Sequence, residues 1–263
     1  MTPQNVTGRY FDVPSGQLYA HVRESEGIAL VLFHYWGGSR RTWMPVLRPL
    51  DPALPFTAYD QRGWGDSADL PGPYGPDRLA DDAQQVLSKL GHDRFVLVGH
   101  SMGGKVAQMV AARKPAGLAD VVLVVPAPAA PVAVTELIQD NASHAYDSEA
   151  TVAAGIDQIL THRELADKLR RQVIEDSLRV GSEARLEWPR HGMVQDVSAG
   201  VGDIDVPVLL LVGSHNKIDP LGVLSSHHLL PTIRTALDGA DHLSPLEVPD
   251  QVAAHIAAFT ASL

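Results

Sequence analysis

Short apolar runs alternate with longer segments of helical periodicity through most of the chain. GIALVLFH, ending at His34, PFTAYD, ending at Asp60, and RFVLVGH, ending at His100, read as strands buried on both faces. DVVLVVP, ending at Pro126, and VPVLLLVG, ending at Gly213, have the same character. Between them, Pro76–Leu90 places Leu79, Ala83, Val86, Leu87 and Leu90 on one helical stripe, and Gly91 follows as a stop. Met102–Lys114 and Pro249–Thr260 carry helical patterning as well. Buried strands separated by helices predict an α/β fold, a mostly parallel sheet with helices on both faces. Arg9–Val13 and Gln17–Val22 flank the turn residues Pro14, Ser15 and Gly16, so an antiparallel hairpin is expected to start the sheet.

The alternation stops between about Ala127 and Asp203. PAPAAP introduces a segment with helical patterning over Ser148–Leu160, Arg163–Val180 and Arg185–Val194, and with no strand pattern. It resumes at VPVLLLVG. The expected organisation is one α/β core, residues 1–130 and 203–263, interrupted by a helical lid, residues 131–202.

Composition narrows the partners. The chain has 263 residues, enough for one large domain with an insertion. Its 45% hydrophobic and 20% charged content belongs to a folded globule rather than a disordered chain. A net charge of −10 opposes binding to nucleic acid or anionic membrane. A small-molecule substrate is the expected partner and a monomer or homodimer the expected assembly, neither of them fixed by the charge. The longest apolar runs are strand-sized and no basic-then-apolar leader is visible, so no membrane span and a cytoplasmic location are expected. The absence of cysteine excludes disulfides and thiolate metal sites. No H-x-H or H-E-x-x-H occurs, and His227-His228 is an adjacent pair, a spacing at which side chains diverge on most backbones; neither metal nor cofactor is expected.

Gly99-His100-Ser101-Met102-Gly103-Gly104 fits G-x-S-x-G, and it lies between a strand and a helix as that motif requires. A strand turning sharply into a helix forces Ser101 into a strained conformation with its hydroxyl presented. Gly99 and Gly103 remove side chains that would collide at the bend, and the helix N-terminus offers free N–H groups.

With three further loops, this motif resembles the α/β-hydrolase family over nearly the whole chain. His34-Tyr35-Trp36-Gly37-Gly38 resembles that family's oxyanion loop, with Tyr35 standing where a glycine is usual. Asp60-Gln61-Arg62-Gly63-Trp64-Gly65-Asp66-Ser67 resembles its D-x-R-G-x-G-x-S scaffolding loop, and Gly239-Ala240-Asp241-His242 the loop of its catalytic histidine. The resemblance implies an eight-stranded sheet and a serine hydrolase cleaving an ester, thioester or lactone. Ser101 would be the nucleophile and His242 the base, with the N–H groups of Trp36 and Met102 forming the oxyanion hole. His34 would brace the oxyanion loop. Tyr35, His100, Tyr146 and Trp188 are candidates for the substrate pocket. Serine as the nucleophile disfavours the aspartate branches of the family, the epoxide hydrolases and haloalkane dehalogenases.

The resemblance implies an acid three residues after Gly213, spaced as G-x-x-D-x-x-x-P, and that position holds Asn216. An asparagine hydrogen-bonds a histidine but does not stabilise an imidazolium by charge; in a serine protease the equivalent change costs roughly four decades. Three readings stand side by side. Asp219 swings in as a displaced acid; the native residue is an aspartate and this chain an inactivated variant; or Asn216 is natural and the enzyme is slow. The last reading keeps cofactor-free oxygenation, perhydrolase-type chemistry and a ligand-binding role open as alternatives.

Overall fold

In a computed structural model, residues 5–219 and 232–261 are described. The His227–His228 pair lies outside them. The hairpin strands are β1 (Thr7–Val13) and β2 (Gly16–Arg23). They are followed by β3 (Ala29–Phe33), β4 (Phe56–Tyr59), β5 (Phe95–His100), β6 (Leu118–Val124), β7 (Val208–Gly213) and β8 (Thr232–Leu237). They form one eight-stranded sheet in the order β1-β2-β4-β3-β5-β6-β7-β8. β2 pairs antiparallel with β1 and β4, and every other pairing is parallel.

Alternate residues of each strand feed two core layers, as the twofold side-chain period dictates. Val31, Phe33, Leu97 and Leu123 face a layer built with α2 (Pro76–Leu90) and α3 (Met102–Ala112). Leu30, Leu32, Val96, Val98 and Val122 face the other. That layer is completed by the short α1 (Met44–Leu47) and by α9 (Pro249–Thr260). Gly91 ends α2 at φ 68°, a left-handed cap that glycine takes without strain.

The chain between β6 and β7 has no strand among its described residues. It holds α4 (Glu136–Ser143), α5 (Glu149–Gly155), α6 (Asp167–Leu178) and α7 (Ser182–Glu187). Two π-helical turns, Ile156–Leu160 and Trp188–Gly192, continue α5 and α7. Ser148 and Thr151 close a reciprocal capping box at the start of α5. Helix α4 was not expected from the pattern: Ser143 is its only buried residue, while Leu137 and Ile138 face outward, so it has no inward stripe to read. The short α8 (Ser244–Glu247) precedes α9. No described helix is long and apolar enough to cross a membrane.

Candidate active site

The parallel strands deliver six loops to one edge of the sheet, where such folds place their ligands. Ser101 leads from β5 into α3 with φ 51° and ψ −117°, a conformation that costs of order 1–3 kcal/mol and persists only when its surroundings enforce it. The surroundings here are backbone. A Cβ on Gly103 would lie 2.5 Å from the carbonyl oxygens of Phe33 and His34, and one on Gly99 would lie 2.5 Å from that of Gly103. The first turn of α3 therefore sits directly against the end of β3 and the loop after it.

His242, in the loop after β8, brings Nε2 to 2.8 Å from Oγ of Ser101. Its loop is held on several sides. The His242 carbonyl accepts from Nε2 of His100 at 2.7 Å, and the Leu243 N–H donates to Leu160 at 2.9 Å. The buried Asp241 carboxylate accepts the Lys217 N–H at 3.1 Å and pairs with the Lys217 ammonium. Glu247 accepts three backbone N–H groups, from His162 (2.7 Å), Arg163 (3.0 Å) and Asp241 (2.9 Å). Burial lowers the His242 pKa to about 4, with Asp241 pulling weakly the other way, so the ring is neutral at pH 7.

Nδ1 of His242 is buried and has no hydrogen-bond partner among the described residues. Among the described residues neither a carbonyl nor a carboxylate caps it, and neither Asn216 nor Asp219 hydrogen-bonds it. The Asn216 amide donates to the Asp219 carbonyl at 2.9 Å, and its oxygen accepts the Ile218 N–H at 3.3 Å. Asn216 and Asp219 are both buried in the loop after β7. Residues 215–217 of that loop lie alongside the histidine loop, because the His215 N–H donates to Ala240 at 2.9 Å.

Met102 is the first residue of α3, and Trp36 follows β3; neither N–H has an acceptor among the described residues. Tyr35 avoids the left-handed region that its glycine-like position suggests; Gly37 adopts it instead, at φ 94°. His34 is wedged in one tautomer: Nε2 accepts the Gln61 N–H at 3.0 Å, which leaves Nδ1 to donate to the Tyr35 carbonyl at 2.8 Å. Asp60 accepts from the N–H groups of Arg40 (2.7 Å) and Asp66 (2.8 Å), which makes it a loop brace.

The expected pocket residues are placed differently. His100 is fully buried beneath His242, 5.5 Å between ring centroids, and offers no surface to a substrate. Tyr35 points inward against Gly38 and His100. Tyr146 donates its hydroxyl to the Trp36 carbonyl at 2.7 Å and packs its ring 4.3 Å from the Trp36 indole. Trp188 is buried at the start of its π-turn, with Gly192 against its ring. All four side chains are buried, and each packs against or braces a neighbouring residue.

The pattern also missed residues. Ser177 donates to the Gly37 carbonyl at 3.0 Å, and Asp176 accepts from Ser39 (2.9 Å) and Arg41 (2.9 Å). Lys105, one turn after Ser101, is buried with Nζ on the carbonyls of Gly192 (3.2 Å) and Gln195 (2.5 Å); burial lowers its pKa to about 8. Lys105 alone had a visible signal, the one charge inside the buried helix MGGKVAQMVAA. Two surface recesses involve the insertion, one of about 550 Å³ between it and residues 72–74 and one of about 360 Å³ within it, and neither is lined by Ser101 or His242.

Residues 28–156 match the family model described as the alpha/beta hydrolase fold. A putative carbamate hydrolase RutD from Caulobacter segnis is 37% identical over 90 residues, 34% of this chain and 34% of the relative. The chain thus matches about a third of the length of such curated relatives. An esterase from Exiguobacterium antarcticum superposes with a TM-score of 0.86 at 18% identity, covering 97% of this chain and 100% of that one. A bromoperoxidase from Bacillus anthracis gives a TM-score of 0.86 at 17% identity with the same coverage. Motif order, sheet order and these similarities agree, and the chain has the α/β-hydrolase fold.

Proposed function

We propose that the protein is a serine hydrolase acting on an acyl carbonyl: a carboxylic ester, thioester, lactone or carbamate. The carbamate is included because of the partial similarity to the RutD relatives. The observation that carries the reading is the 2.8 Å approach of His242 Nε2 to Ser101 Oγ, on a serine held at φ 51°. Neutral His242 takes the hydroxyl proton as Oγ attacks the carbonyl carbon. The tetrahedral oxyanion is received by the N–H groups of Met102 and Trp36, aided by the N-terminus of α3. His242 then returns the proton to the leaving group, and a water attacks the acyl-enzyme by the same route. The insertion between β6 and β7 serves as the lid over this centre.

The uncapped Nδ1 favours a second reading. An imidazolium formed at His242 has no carboxylate hydrogen-bonded to its Nδ1 among the described residues, which suits slow hydrolysis or chemistry in which the histidine acts without the serine. Ser101→Ala separates the two. With p-nitrophenyl acetate and an aryl carbamate as substrates, Ser101→Ala and His242→Ala are each expected to lower kcat/KM by ~10³-fold or more. Turnover that survives Ser101→Ala and is lost in His242→Ala would replace the acyl-enzyme route with histidine-only chemistry.

A further inference from the structure

We propose that the helical insertion assembles the oxyanion hole, with the hydroxyls of Tyr146 and Ser177 as positioning groups for the Trp36 N–H. This rests on the reading of Ser101 as the nucleophile.

The loop that carries the Trp36 N–H ends in Gly37-Gly38, the most permissive dipeptide a chain can hold, and ordering it costs conformational entropy. Something must fix its peptide planes. Three consecutive carbonyls of the loop are each held. The Tyr35 carbonyl, in the same peptide unit as the Trp36 N–H, accepts from Nδ1 of His34 (2.8 Å) and from the Gly38 N–H (3.0 Å). The Trp36 carbonyl accepts the Tyr146 hydroxyl at 2.7 Å. The Gly37 carbonyl, in the same unit as the Gly38 N–H, accepts the Ser177 hydroxyl at 3.0 Å.

The core supplies one anchor, His34. The other two come from the insertion, more than a hundred residues away along the chain (110 and 140 positions). The loop is shaped to receive them. A Cβ on Gly37 would lie 2.2 Å from the Tyr146 hydroxyl oxygen, so the glycine makes room for the phenol. The Trp36 indole is tied to the insertion as well, donating to the Arg185 carbonyl at 3.1 Å. Asp176, beside Ser177, pins the far end of the loop through Ser39 and Arg41. A carbonyl held at either side of Trp36 leaves its N–H one direction. Moving the insertion away would release two of the three anchors, so lid position and hole geometry change together.

The test is the rate at which a fluorophosphonate labels Ser101, followed by mass spectrometry, because its phosphoryl oxygen occupies the hole during attack. Saturation kinetics separate kinact from KI. Tyr146→Phe and Ser177→Ala are each expected to lower kinact by roughly 10-fold with KI unchanged. Ser177→Thr, which keeps the hydroxyl, is expected to retain the wild-type kinact, and melting temperatures should stay together across the set. Wild-type kinact in both hydroxyl-deleted variants would overturn the proposal, as would a loss confined to KI or one that tracks the melting temperature. If the unmodified protein forms no Ser101 adduct, the nucleophile reading falls and this proposal with it. A labelled wild type with unaffected variants sinks this proposal alone.

Discussion

At His242 the physics is that of a neutral base in a dry site. Burial lowers its pKa to about 4, and no described group caps Nδ1. The base form is the deprotonated one, so kcat/KM should rise with pH through about 4 and be level from pH 6 upward. A limb at 6–7 in the pH–rate profile would mean that a carboxylate does reach Nδ1. The uncapped nitrogen also leaves the tautomer unset. Ser101 can donate to Nε2 only when the proton sits on Nδ1, and a buried N–H with no acceptor costs about 1–3 kcal/mol. Asn216→Asp is the matching variant. Its carboxylate can no longer donate to the Asp219 carbonyl, and the 215–217 loop lies alongside the histidine loop. Turnover should rise by about 10-fold or more, with the acid limb moving up, since a charge then stabilises the imidazolium. A fall in turnover at unchanged stability would show that position 216 faces elsewhere.

At the scale of elements, the junction of β3 with α3 does the positioning. The GHSMGG run fixes the serine because Gly99 and Gly103 are met by backbone, and backbone does not yield as a flexible side chain does. Gly103→Ala would drive a methyl into two carbonyl oxygens at 2.5 Å, pushing α3 off the oxyanion loop. The expected cost is about 1–3 kcal/mol of stability with a larger loss of turnover, measured by thermal unfolding and steady-state kinetics on the same sample. A stable and fully active Gly103→Ala protein would contradict the tight junction.

Elements were legible where burial followed a period. The strands β3 to β7 read as continuous apolar runs because both faces are covered, and α2 read as a stripe because one face is. β8 is an edge strand in which Ile233 is 57% exposed and Leu237 alone is buried, so its pattern does not announce it. Helix α4 escaped for the same reason.

Across the whole molecule, local motifs and long-range contacts carried different kinds of information. Ser101 and His242 stand in short signatures whose geometry is set within a few residues, and the structure brings them together from 141 positions apart. Tyr146 and Ser177 have no such signature. A tyrosine in a loop and a serine late in a polar helix acquire their places only when the insertion packs on the sheet edge. The same holds for Glu247, which joins the loop before α6 to the histidine loop through three N–H groups. The insertion is thus stitched to the loop after β3 and to the loop that carries His242.

The central claim is that this arrangement transfers an acyl group to Ser101. Rapid acid quench during turnover of p-nitrophenyl acetate, followed by peptide mass spectrometry, tests it most directly. The expected result is an acetyl group on the peptide containing Ser101, absent in Ser101→Ala and formed far more slowly in His242→Ala. Turnover that proceeds with no acyl group on that peptide, under quench times short enough to catch a burst of p-nitrophenol, would contradict it.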